Sequence, residues 1–192
     1  MIATEKKVRK ALSLIKITYI IAILAILSIG SYSLIKNMFP KKYSTYVDYF
    51  ANKYKLDKYL VYSVIKVESN FKETAISNKG AVGLMQIMPE TGTWISQKMG
   101  MVGYTDDMLV DTETNIKMGS FYLSDLSEEF HGDINLMIAA YNGGRGNVKN
   151  WLSDPKYSDD GRNLKSIPFD ETSNYLVKIK FTYKIYKFLY DR

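Results

Sequence analysis

The chain has 192 residues, 46% hydrophobic and 14% aromatic, which is enough to bury a core and too apolar for a disordered chain. It has no Cys, which excludes disulfides and thiolate metal sites, and only one His. Of the net charge of +6, most sits in residues 1–36, with six Lys or Arg against one acid; the remaining 156 residues carry twenty bases and nineteen acids. The bulk of the chain is therefore close to neutral, a nucleic-acid-binding reading loses its main support, and no nucleic-acid partner is expected.

Residues 1–16 read as a basic cytoplasmic tail. Residues 17–36 follow as a transmembrane helix. From Ile17 to Ile35 there are nineteen uncharged residues, which at a helical rise span roughly 28 Å, enough for a hydrocarbon core. Basic residues are denser before the run than after it, so the N-terminus is expected inside and the remainder outside, extracellular or periplasmic. A cleaved signal peptide is the competing reading, since Ser28-Ile29-Gly30 offers small residues at the right spacing. The run is longer than the usual apolar stretch of such signals, about 7–15 residues.

Residues 37–45 read as a juxtamembrane linker and 46–192 as one domain. The aromatic-rich stretch from Tyr43 to Tyr54 predicts a helix. Asp57 can cap a helix running to Ser69. Lys79 to Gly83 is rich in turn residues, with Gly80 and Gly83 three apart. Pro89 suits the first turn of a helix reaching Lys98, and Gly100 to Asp111 reads as loop. Helices are expected over Thr112–Phe130, from Asp133 to Gly143-Gly144, and over Gly146–Leu152. Ser153 to Ser166 is polar and loop-like, and Pro168 is expected to open a final helix to Tyr190. Strand alternation is nearly absent. The expected fold is mostly α, with at most a small β-hairpin near Ser77–Gln86.

Glu68 is the residue that points to chemistry. Leu60, Val61, Val64 and Ile65 make an apolar helical stripe, and positions 60, 64 and 68 are four apart. A carboxyl group on that stripe is expensive to ionise and holds its proton to higher pH, as a general acid requires. On its own, a glutamate there suits a structural ion pair equally well.

Three further blocks accompany Glu68-Ser69. They are Gly80-Ala81-Val82-Gly83-Leu84-Met85-Gln86-Ile87-Met88-Pro89, then Ala139-Ala140-Tyr141-Asn142-Gly143-Gly144, then Ile167-Pro168-Phe169-Asp170-Glu171-Thr172 with Tyr175 and Val177. In this order they resemble the catalytic domain of the lytic transglycosylases, lysozyme-like enzymes of the goose-type and soluble-lytic-transglycosylase (SLT) kind that cut peptidoglycan glycan strands. The resemblance covers roughly residues 46 to 190. It implies a lysozyme-like fold and non-hydrolytic cleavage of the β-1,4 bond between N-acetylmuramic acid and N-acetylglucosamine, leaving a 1,6-anhydro end. It implies that Glu68 is the catalytic acid, then the base. Substrate-binding roles are implied for Ser69, Met85, Gln86, Tyr141, Asn142, Glu171 and Tyr175, with no metal and no cofactor. The partners implied are glycan strands and, through the N-terminal helix, membrane lipid, with a wall, secretion or sporulation assembly as a further one.

Each residue also has a plainer reading. Leu84 and Met85 suit a core, Tyr141 a buried tyrosine, Asn142 a helix end, Gln86 a surface amide, and Glu171 the start of a helix. A hydrolytic muramidase on the same fold and a non-catalytic wall-binding scaffold are the alternative functions. His131 lacks the partners of a serine triad or zinc site, and Gly143-Gly144-Arg145-Gly146 lacks the preceding strand of a phosphate loop.

Overall fold

A computed structural model describes residues 2–191, which fall into two units divided after Pro40. The first unit is a single helix, α1 (Ile2–Met38). Its segment Thr18–Met38 is long and apolar enough to cross a membrane, and none of it is buried. Helix α1 continues two residues past the expected span.

The second unit holds seven more α-helices among the described residues: α2 (Ser44–Lys53), α3 (Lys58–Ser69), α4 (Pro89–Lys98), α5 (Thr112–Glu129), α6 (Ile134–Gly143), α7 (Arg145–Ser153) and α8 (Asp170–Tyr190). The stretch expected to be loop before α5 contains a short 3-10 helix, Asp106–Val110. No strand forms among the described residues. Two isolated bridges, Ile76 to Val82 and Val82 to Ile87, close the expected hairpin region into a pair of turns.

Helix boundaries follow from local chemistry. The Asp57 carboxylate accepts from Tyr59 N at 2.8 Å, Asp111 from Thr114 N at 2.8 Å, and Asp133 from Asn135 N and Leu136 N. Each satisfies backbone donors that a helix start leaves unpaired. Pro89 stands at the first turn of α4, where its missing N–H costs nothing. Helix α8 begins at Asp170, two residues later than Pro168 would place it, because Phe169 is still extended.

Helix α3 runs through the centre, with every residue from Tyr59 to Ile65 buried. It packs most extensively against α8. Helix α8 buries Thr172, Tyr175, Ile179, Thr182, Tyr186 and Leu189, spaced alternately three and four apart, which keeps them on one face. The rings of Tyr62 and Tyr186 stack at 5.5 Å between the two helices. This pairing sets the C-terminal end of α3, where Glu68 lies, beside the first turns of α8.

The turns between α3 and α4 are fastened from below by α5. Asn115, almost fully buried, accepts from Met85 N at 2.8 Å and donates to Val82 O at 3.0 Å and Leu109 O at 2.8 Å. Gly83 has φ +81°, and a Cβ there would collide with the Asn115 amide, so both conformation and space demand glycine. Gly119, one turn further along α5, lacks a side chain where the thioether of Met85 packs.

Candidate active site

Four segments meet at one cleft: the end of α3, the Ile76–Met88 turns, the end of α6 and the start of α8. Its larger half has a volume of about 400 Å³ and is lined by Glu68, Lys79, Gln86, Tyr141, Asn142 and Glu171, among others. A second half of about 250 Å³ continues past Thr91, Tyr122, Gly143 and Gly144. Gln86, Met88, Tyr141 and Asn142 line both halves, so the two form one continuous groove.

Glu68 is half-buried in this groove. Its carboxyl pKa is raised from 4.5 to about 7, chiefly by burial, against a hydrogen bond from Tyr175 that lowers it and with the charge of Glu171 adding to the rise. Loss of hydration outweighs the stabilising donor, so the group is poised between protonated and ionised forms near neutrality. Tyr175 Oη donates to Glu68 Oε1 at 2.6 Å. Tyr141 Oη donates to Met85 O at 2.8 Å. Burial, then the nearby Glu68 charge, keeps both phenols protonated well above their ordinary range.

The remaining sequence-predicted residues take distinct places. Gln86, at φ +48°, turns its Nε2 back onto Ala75 O at 3.1 Å and Gly83 O at 2.8 Å. Both amide hydrogens are therefore used inside the turn, and its Oε1 carbonyl is the group left for a ligand. Asn142 is the reverse case: Oδ1 accepts from Thr172 Oγ1 at 2.8 Å, leaving the NH₂ as a donor. Glu171 is exposed and pairs with Lys79 at 2.8 Å along the rim.

Three predicted residues do not line the groove. Met85 is fully buried beneath it against Gly119, and only its carbonyl serves the site, by accepting from Tyr141. Tyr175 is buried behind Glu68 and touches the acid. Ser69 donates to Leu84 O at 2.8 Å, tying the end of α3 to the turns.

The structure also adds residues that sequence reasoning passed over. Asn115 holds the turns in place; the sign was an amide on the face of α5 that carries Ile116, Gly119 and Leu123. Tyr122 sits 5.4 Å from Tyr141, and the Arg145 guanidinium covers both Tyr122 at 5.4 Å and Trp94 at 4.5 Å. Arg145 also pairs with Asp125 and Glu129, so it braces the second half of the groove. A separate hollow of about 470 Å³ opens beside α4, lined by Thr93, Ser96, Gln97, Tyr104 and Asp106. It gathers none of the four blocks, and its only acid, Asp106, is exposed. The four blocks converge instead on the groove that holds Glu68.

Known proteins share this arrangement of chain. The soluble lytic murein transglycosylase of Escherichia coli (strain K12) is 31% identical over 147 residues, covering 76% of this chain and 23% of that protein. The membrane-bound lytic murein transglycosylase C of Edwardsiella ictaluri (strain 93-146) is 30% identical over 182 residues, covering 80% of this chain and 50% of its own length. Among solved structures, an inactive glutamate-to-glutamine mutant of lytic transglycosylase Slt from Pseudomonas aeruginosa superposes with a TM-score of 0.71 at 32% identity. That match covers 80% of this chain and 25% of the other. The chain thus spans about a quarter of the length of the Escherichia coli and Pseudomonas aeruginosa proteins. Residues 45–163 match the family described as Transglycosylase SLT domain. That match takes in the cleft apart from the residues α8 supplies, and on it the chain belongs to the transglycosylase SLT domain family.

Proposed function

We propose that this chain is a membrane-anchored lytic transglycosylase, with residues 17–36 as the anchor and residues 46–192 as the catalytic domain on the outer face of the membrane. The observation that carries the reading is the state of Glu68: a carboxyl group raised to about 7, half-buried in a groove and held by a single phenol donor. Protonated, it gives its proton to the glycosidic oxygen as the bond from the muramyl C1 breaks. Ionised, it takes the proton of the C6 hydroxyl of the same sugar as that oxygen attacks C1. The leaving sugar departs with the first proton, and the second restores the acid, so no water is consumed. The cationic carbon is met by the substrate's own N-acetyl oxygen.

A single acid suits this scheme. Most glycosidases use two carboxylates flanking the bond. The only other acid among the residues lining the larger half of the groove is Glu171, which is exposed and ion-paired to Lys79. The Asn142 NH₂ suits an N-acetyl carbonyl, and the Gln86 carbonyl suits a sugar hydroxyl or an amide N–H. The inactive mutant of the Pseudomonas aeruginosa enzyme exchanges a glutamate for glutamine, the change that would disable Glu68 here. The membrane-bound relatives and the apolar segment of α1 support anchoring.

The test is mass spectrometry of fragments released from purified peptidoglycan by the full chain in detergent, with Glu68→Gln as control. Anhydro-muramyl ends that vanish in the variant are expected. Reducing ends would make the chain a muramidase that uses water. Release by neither form would make it a wall-binding scaffold.

A further inference from the structure

Helix α8 has a second face. Opposite its buried row, positions 177, 181, 184 and 188 follow the i, i+4, i+7, i+11 spacing of one stripe. Val177, Phe181 and Phe188 are 65%, 63% and 71% exposed, and Lys184 stands between them. Single exposed hydrophobic residues are ordinary, but two phenylalanines and a valine aligned along three turns of one helix are not scattered singles. Along the helix itself the charge has one sign. From Ser173 to Tyr190 the helix has four lysines, at 178, 180, 184 and 187, and no acid. Lys187 is paired with Asp57 and Asp191, and Lys180 donates to Asn135. Lys178 and Lys184 are exposed on the outer side of α8.

The position of this face in the chain names what covers it. Lys41, the first residue of the domain, has its amine 5.0 Å from the Tyr190 ring at the C-terminal end of α8. Lys41 is three residues beyond Met38, the last residue of the apolar helix. Three residues reach at most about 11 Å, so an anchored domain keeps the end of α8 near the bilayer surface. Lys41 adds one more base there. Phenylalanines interleaved with lysines are the composition of helices that lie in a lipid interface, where rings enter the acyl boundary and ammonium groups meet anionic headgroups.

We propose that the outer face of α8, formed by Val177, Phe181, Lys184 and Phe188, rests on the anionic lipid surface of the membrane that holds the N-terminal helix. The proposal builds on the reading of that helix as an anchor, and not on the chemistry of the cleft.

The chain has no cysteine, so single labels can be placed cleanly. Phe181→Cys, Phe188→Cys, Asn150→Cys and Leu27→Cys, each in the full chain, would carry an environment-sensitive fluorophore. Each would be reconstituted in phosphatidylcholine vesicles with and without phosphatidylglycerol. Lipid-borne spin labels are expected to quench the fluorophores at 181 and 188 but not at 150, and more strongly, by about twofold or greater, with the anionic lipid present. If the label at 27 is quenched by lipid while those at 181 and 188 stay as open to aqueous acrylamide as the one at 150, the anchor stands and the docking is overturned. Shielding of 181 and 188 from both quenchers would also overturn it, by assigning the face to a second copy or another protein. An unquenched label at 27 would overturn the anchor itself and the docking with it. Peptidoglycan release by the same variants reads the cleft separately, since none of the four positions lines it.

Discussion

The Tyr175 hydroxyl lies 2.6 Å from Glu68 Oε1, and the two residues are 107 positions apart in the chain. One sits near the end of α3 and the other in the second turn of α8, so the acid is held by the packing of these two helices. The phenol opposes the burial that surrounds the acid. Without it, loss of hydration would raise the carboxyl pKa further above its present value of about 7.

This balance sets a pH profile. Cleavage that begins with proton donation by Glu68 is expected to fall about tenfold per pH unit once the pH passes roughly 7. In Tyr175→Phe the stabilised carboxylate loses its donor, and the alkaline limb is expected to move up by about one unit, the size of a hydrogen bond to a charged group. Rates on labelled glycan strands from pH 5 to 9 would check it; an unmoved limb would remove Tyr175 from the control of the acid.

The same shift acts on stability. The folded pKa of Glu68, about 7, exceeds the ordinary value of 4.5 that holds in the unfolded chain, so the folded state holds the proton more tightly. The stabilisation this gives is complete below 4.5 and lost as the pH rises through 7. Glu68→Gln, which cannot ionise, is therefore expected to unfold at higher denaturant than the parent at pH 8, by up to the order of 3 kcal/mol. At pH 4 the two should be nearly equal. Activity of the variant should drop by about a thousandfold or more.

Asn115 makes three hydrogen bonds to backbone groups of Val82, Met85 and Leu109. Asn115→Ala leaves those buried groups unsatisfied, which costs about 1–3 kcal/mol for each. Thermal unfolding should show a loss of this order. Activity should fall even at temperatures where the chain stays folded, because Gln86 rides on the same turns.

Lys79 and Glu171 give the opposite expectation. Both side chains are about three-quarters exposed, at 74% and 69%, and exposed pairs contribute roughly 0–1 kcal/mol. Lys79→Ala should leave the unfolding midpoint almost unchanged. Any effect should appear in KM for glycan strands and shrink with added salt.

The helix limits were legible because their causes are local. Asp57, Asp133 and Pro89 act within three residues of themselves, and each marks a boundary where the structure has one. The stripe ending at Glu68 was legible for the same reason, since helical spacing alone puts it on the inner side. What could not be read depends on residues far off in sequence. Met85 fits a ligand contact until Gly119, 34 positions later, is found to make room for it beneath the floor. Gln86 and Asn142 read alike as amides. Only the carbonyls of Ala75 and Gly83, and the hydroxyl of Thr172, turn one into an acceptor and the other into a donor. Asn115 carries no motif at all, and its role emerges only where three segments converge on it.

Helix α8 carries Glu171 on the groove rim at one end and Tyr190, beneath the Lys41 amine, at the other. Nineteen residues of helix separate them, roughly 28 Å. In the proposed anchored enzyme the distance from leash to groove is thus a rigid rod. Adding residues between Met38 and Lys41 would lengthen the leash by up to about 3.5 Å each and leave the rod unchanged. Under the proposed anchoring, such insertions would widen the zone of wall within reach whenever the outer face of α8 leaves the lipid, without altering the groove itself.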